Sequence, residues 1–115
     1  MTLTVSDKIQ DNKLVIYCEG RIDSTNANIF EEKLAAVIGE DKNKFIIDFE
    51  KIAFVSSAGL RVLLIAAKKV KPTGGAVILT GLSPEIQEVF DISGFTAIFS
   101  IYKTVEEALA KFGNA

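Results

Sequence analysis

A chain of 115 residues, 49% hydrophobic and 24% charged, is long enough to bury a core of its own and too apolar to stay disordered. The absence of histidine excludes a Ser-His-Asp or Cys-His nucleophile and any histidine metal ligand, and a single cysteine, Cys18, excludes an internal disulfide or a cysteine cluster. A formal net charge of −2 runs against a general nucleic-acid or anionic-membrane binder, and no apolar stretch reaches the roughly 18 residues of a membrane-spanning helix.

In chain order, Thr2 to Ser6 alternates, with Leu3 and Val5 on one face, and reads as a short strand. The run before Lys8 turns acidic early and lacks a signal peptide's basic and long apolar regions, so the expected location is the cytoplasm. Asp11-Asn12 is turn chemistry, and Lys13 to Glu19 follows as the second strand of a hairpin, ended by Gly20. Cys18 lies in that strand's apolar run and reads as a small core residue, not a reactive thiol. Ser24 or Thr25 is placed to cap a helix through about Ile38, with Ile29, Phe30, Leu34, Val37 and Ile38 at helical spacing. Gly39 and the polar run to Lys44 close it.

Phe45-Ile46-Ile47-Asp48-Phe49 has strand length and reads as a central strand covered on both faces. A second helix is expected from Ala58 to Lys71, stopped by Pro72-Thr73-Gly74-Gly75. Ala76 to Thr80 is a further buried strand. Ser83-Pro84-Glu85 then sets a capping serine, a proline at the first helical position and an early carboxylate in order, for a third helix that stops at Gly94. Ala97 to Ile101 is the last strand, and Thr104-Val105-Glu106-Glu107 is a capping box opening a helix to about Phe112. With no internal repeat or linker, this alternation predicts one α/β domain over residues 1–115, a mixed sheet packed with about four helices.

The chemistry concentrates between Phe54 and Leu64. Ser57 falls at the N-cap of the second helix or one position from it, where orphan backbone N–H groups and the helix dipole favour negative charge and would tolerate a phosphate. A helical walk from Ser57 passes through Arg61 and Leu64 or Ile65 to Lys68, one stripe that is either a part-apolar surface beside a modifiable serine or a face buried under a neighbouring element. Hydrolase chemistry fits poorly. The Gly-x-Ser-x-Gly elbow is absent, and Lys68 lies three turns from Ser57, about 16 Å by helical rise. Gly74-Gly75 lacks the surrounding pattern of a phosphate loop. No catalytic residue, cofactor or metal is expected.

Several pieces then fall into a recognisable order: Gly20-Arg21-Ile22-Asp23, Ile46-Ile47-Asp48-Phe49, Phe54 to Leu63, Gly74-Gly75, Leu82-Ser83-Pro84-Glu85-Ile86 and Val89-Phe90-Asp91-Ile92-Ser93-Gly94. Over nearly its whole length the chain resembles the STAS-domain anti-sigma factor antagonists of bacterial partner-switching systems. The resemblance implies a regulator of transcription without catalytic activity. Its unmodified form binds an anti-sigma factor that is also an ATP-dependent serine kinase, releasing the sigma factor. Phosphorylation ends that binding and a phosphoserine phosphatase resets the cycle. No direct contact with nucleic acid or membrane is implied, and the free chain is expected to be a monomer or weak dimer.

The resemblance carries the phosphoacceptor to Ser57, with Ser56 as the alternative. The implied partner surface comprises Asp23, Ser56, Ser57, Gly59, Leu60, Arg61, Leu64, Ile65 and Lys68. Family members commonly have aspartate immediately before the acceptor serine, where this chain has Ser56, and often Ser or Thr immediately after it, where this chain has Ala58. The alternative implied role is a STAS interaction module in a signalling complex that does not act on a sigma factor.

Overall fold

Asp11 and Asn12 both take positive φ, 50° and 65°, as a two-residue hairpin turn between right-twisted strands requires. They join β1 (Thr4–Gln10) to β2 (Lys13–Ile22) in antiparallel register, with Gln10 opposite Lys13. The structure, a computed structural model, describes residues 3–38 and 44–112. After the hairpin every added strand is parallel: β3 (Lys44–Val55) lies beside β2, β4 (Ala76–Thr80) beside β3 and β5 (Ser100–Tyr102) beside β4. The sheet order is therefore β1-β2-β3-β4-β5, with α1 (Ala27–Val37), α2 (Ser57–Val70), α3 (Pro84–Ser93) and α4 (Val105–Phe112) between and after the strands. The expected mixed sheet packed with about four helices is what the described residues form.

The strand pleat sorts side chains between two cores. Leu14, Ile16, Ile22, Phe45 and Ile47 face one way and pack with Phe30 and Leu34 of α1, Leu63 of α2 and Phe90 of α3. Val15, Ile46 and Ile78 face the other way and meet Val105 and Ala108 of α4. Phe45 through Phe49 is buried throughout, as a central strand between helical layers must be. Phe90, Phe95 and Phe99 close one end in edge-on and tilted ring contacts at 6.0–6.1 Å. Among the described residues no helix is long and apolar enough to cross a membrane.

Several boundaries differ from the sequence reading, each for a local reason. β2 does not stop at Gly20. It continues to Ile22 through a register shift beside that residue, whose φ of 116° marks a strand irregularity that glycine allows at low cost. β3 runs six residues past Phe49 because the extended β2 continues to pair with it as far as Ile22 opposite Val55. β1 extends to Gln10, and Thr2 lies outside the described residues. Lys44 begins β3 instead of ending a loop, while Gly39 lies outside the described residues.

Helix α1 is preceded by Asn26, not capped by Ser24 or Thr25. Asn26 Oδ1 instead accepts from Asp23 N and its Nδ2 donates to Arg21 O. Helix α2 ends at Val70 and passes through a 3₁₀ turn at Lys71–Thr73, with Gly74 at φ 78°. The last strand shrinks to Ser100–Tyr102, since Phe95–Ala97 forms a second 3₁₀ turn. The third helix follows its sequence signals closely: Ser83 Oγ accepts from Ile86 N, Pro84 is the first helical residue and Gly94 closes it at φ 79°. Thr104 Oγ1 accepts from Glu107 N at 3.0 Å, one half of the expected capping box.

Candidate functional site

Two chain crossings leave the sheet side by side at the carboxyl ends of β2 and β3. Ile22 and Val55 are partners in register, and Ser56 N donates to Ile22 O at 2.8 Å. The loop opening with Asp23 and the helix opening with Ser57 are thereby tied together through their preceding residues. This end of a parallel sheet is where α/β proteins place their functional groups.

Ser56, with extended φ −85° and ψ 172°, is the N-cap of α2; its Oγ accepts from Gly59 N at 3.3 Å. Ser57 is the first helical residue and exposed, so it stands one position from the cap with a hydroxyl not used in capping. No acidic residue occupies the first turn of α2. The helix N-terminus therefore keeps its positive end uncompensated by carboxylates of its own turn.

Asp23 is held in place by four neighbouring groups. Its N–H donates to Asn26 Oδ1 at 2.9 Å, and its Oδ1 accepts from Thr25 N at 2.9 Å and from the Thr25 hydroxyl. Oδ2 lies 3.5 Å from Arg21 Nε. The bonds from Thr25, side chain first, then the backbone N–H, with a smaller contribution from Arg21, hold its carboxyl below the usual carboxylate range. Arg21 in turn lies over the Phe54 ring at 4.7 Å. Asp23 is thus a fixed, ionised group beside the start of α2.

Along α2, Ser57, Arg61, Ile65 and Lys68 are exposed and Leu64 is half-buried, so the expected stripe lies on the open side of the helix. Ile65 retains 44% of its surface. Gly59 and Leu60, expected on the partner surface, face inward instead. A Cβ on Gly59 would lie 2.7 Å from Ile22 Cγ2 and 3.0 Å from Val55 Cγ1, and Leu60 is buried. Their task is to seat α2 on the sheet, since the helical walk that exposes Ser57 turns positions two and three residues later toward the core.

The sequence assigns no role to Arg21, which contacts Asp23, or to Phe54, over whose ring Arg21 lies. Phe54 keeps 41% of its surface although it sits in an apolar run. No sequence signal marks it, because Glu50 to Val55 has no period of two; the exposure of Phe54 follows from β3 reaching as far as Val55.

On the sheet face not covered by α2, a cleft of about 340 Å³ is lined by Thr4, Ser6, Tyr17, Cys18, Glu19, Asp48, Glu50 and Lys51. Its buried carboxylate, Asp48, accepts from Thr80 Oγ1 at 2.7 Å. Burial, and then the charge of Asp48, push the Cys18 thiol up to about 12. Cys18 should therefore resist iodoacetamide in the folded chain at pH 8 and react once the chain is unfolded, read by mass spectrometry. Equal labelling in both states would contradict its burial. Because the folded thiol titrates above its ordinary 9.0, its contribution to stability is complete below pH 9 and is lost as pH rises toward 12. Among the described residues no group of three or more Cys, Asp or Glu side chains is placed to hold a metal.

The STAS domain family model matches residues 4–108. The chain belongs to the STAS domain family. It is 39% identical over 115 residues to BtrV of Bordetella bronchiseptica, assigned as an anti-sigma factor antagonist, covering 100% of this chain and 97% of that protein. It is 31% identical over 101 residues to the anti-sigma-B factor antagonist of Bacillus subtilis, covering 88% and 92% of the two chains. The fold is shared with the anti-sigma factor antagonist SpoIIAA in its unphosphorylated form, at a TM-score of 0.80 and 23% identity over 99% of this chain and 98% of that one. SpoIIAA of Bacillus in its phosphorylated form superposes at a TM-score of 0.71 with 23% identity, over 96% and 99% of the chains.

Proposed function

We propose that this STAS domain is an anti-sigma factor antagonist whose binding is switched by phosphorylation of Ser57. The unmodified chain engages an anti-sigma factor that carries serine-kinase activity, through Asp23, Arg61, Leu64, Ile65 and Lys68, and so frees the sigma factor for transcription. The kinase then transfers the γ-phosphoryl group of ATP to Ser57 Oγ; the hydroxyl proton passes to a base of the kinase and ADP leaves. A phosphoserine phosphatase restores the hydroxyl. The chain works in the cytoplasm as the substrate and binding partner of these enzymes and performs no catalysis itself.

The observation that carries this reading is the exposed Ser57 at the head of the exposed α2 stripe, beside the fixed carboxylate of Asp23. Phosphate adds about −1.5 to −2 charges at pH 7. On the free chain the helix N-terminus accommodates that charge. Inside a desolvated interface next to Asp23 it repels and must shed water, so affinity falls while the fold survives. Ser57 is favoured over Ser56 as acceptor because Ser56 Oγ already accepts from Gly59 N, and modifying it would disturb the cap.

Incubation with each kinase-type anti-sigma factor of the same genome and ATP, followed by peptide mapping, tests the assignment. Phosphate should appear on Ser57 and disappear in Ser57→Ala. Undiminished labelling of Ser57→Ala would overturn it. The presence of Ser56 where relatives commonly carry aspartate favours a second reading, a STAS module in a signalling complex without a sigma factor. A neighbouring pair of anti-sigma and sigma genes would decide for the first.

A further inference from the structure

Away from Ser57, two exposed surfaces carry opposite charge and matching apolar character. One is a groove of about 440 Å³ between the C-terminal half of α2 and the segment that leads into β5. Leu64, Ala67, Val77 and Ile98 supply its apolar lining, and its charged lining residues, Lys68 and Lys71, are both basic. The other is the open side of α3. Glu85, Glu88, Val89 and Ile92 follow one another at i, i+3, i+4 and i+7, which places them on one stripe, and all four are exposed. Ile92 keeps 79% of its surface and Val89 41%.

We propose that this chain forms a two-fold homodimer in which the acidic, apolar stripe of α3 on one copy seats in the basic, apolar groove beside α2 on the other. Ile92 fills the groove, while Glu85 and Glu88 face Lys68 and Lys71 of the second copy. The arrangement closes on itself because knob and groove are neighbours on one molecule. Only Gly94 and the 3₁₀ turn at Phe95–Ala97 separate the end of α3 from Ile98 in the groove wall. A two-fold axis passing between them makes both contacts at once, as an isologous interface requires. A net charge of −2 supplies no general attraction between copies, so the local pairing of sign selects the orientation.

Leu64 and Lys68 belong both to this groove and to the stripe assigned to the anti-sigma factor. Self-association therefore withdraws the lower half of that surface, and the two binding events compete. This consequence rests on the proposed function; the dimer does not.

Sedimentation velocity on the full chain alone tests the dimer. Raising the concentration to about 500 µM should shift the weight-average coefficient toward a dimer, and about 0.5 M salt should weaken the shift. Ile92→Asp, the pair Glu85→Lys with Glu88→Lys, and the pair Lys68→Glu with Lys71→Glu should each weaken association by about 10-fold or more. Mixing the two charge-reversed pairs should restore dimers, because both contacts regain opposite signs, and this recovery excludes misfolding as the cause. A wild-type chain that stays monomeric at the highest concentration would overturn the proposal, as would an Ile92→Asp dimer of unchanged strength or a mixture that does not recover. A monomeric chain whose Lys71→Glu variant loses an anti-sigma factor would assign the groove to an acidic segment of that partner and overturn the dimer. No anti-sigma factor is present in the sedimentation runs, so their outcome is independent of the Ser57 switch.

Discussion

Phosphorylated or Ser57→Asp protein is expected to bind its anti-sigma factor about 100-fold more weakly than the unmodified chain, a loss of about 3 kcal/mol. The magnitude follows from bringing one further negative charge into a desolvated interface that also holds the Asp23 carboxylate. Asp23 is already committed to Thr25 and Arg21, and its low pKa keeps it ionised at any pH near neutrality. Ser57→Ala should bind within a few-fold of wild type, because it removes a hydroxyl that plays no part in capping α2. Isothermal titration with the purified anti-sigma factor separates these cases. Equal affinity for the aspartate variant and wild type would contradict an electrostatic switch.

The largest expected effect on stability comes from Gly59. At an ordinary helix position, glycine to alanine stabilises by up to about 1 kcal/mol. Here the added Cβ would meet Ile22 Cγ2 at 2.7 Å and Val55 Cγ1 at 3.0 Å, and both side chains are buried and β-branched with little room to yield. Gly59→Ala should therefore destabilise despite the gain in helix propensity. Gly59→Val should cost about 2–3 kcal/mol, seen as a lower urea midpoint with an unchanged slope. A midpoint at or above wild type would contradict the close seating of α2 on β2 and β3. The same substitution pushes the first turn of α2 away from Ile22, so it should also weaken partner binding while Ser57 remains intact.

Helical spacing alone puts Ser57, Arg61, Leu64 or Ile65 and Lys68 on one stripe, because a 14-residue helix repeats its faces strictly enough; that the stripe is open and not covered by a neighbouring element comes from the packing. The same spacing also turns Gly59 and Leu60 inward, but motif resemblance groups residues by order along the chain and not by face. Strong local chemistry was equally legible. The hairpin at Asp11-Asn12, the Ser83-Pro84 start and Gly94 stop of α3, and the Thr104 cap all rest on interactions within a few residues.

What escaped depends on partners distant in sequence. Glu50 to Val55 has four exposed residues and no period of two, and it is a strand because β2 runs beside it. Gly20 looked like a terminator, and only the pairing across β3 turns it into an irregularity inside a longer strand. Asn26 replaced Ser24 and Thr25 before α1 because the Asp23 turn claims the Thr25 hydroxyl. The Arg21–Phe54 contact, which flanks Asp23, required both strand extensions at once and so could not be read from either segment alone.

Sigma-factor release measures the central claim most directly. A preformed complex of anti-sigma factor and sigma factor would be titrated with this chain, in unmodified form and with phosphate on Ser57, and free sigma factor followed by its ability to assemble with core RNA polymerase. The unmodified chain should release sigma factor in proportion to its concentration, and the phosphorylated chain should release none over the same range. Equal release by both forms, or no release by the unmodified chain from any anti-sigma complex of its own genome, would contradict the switch at Ser57.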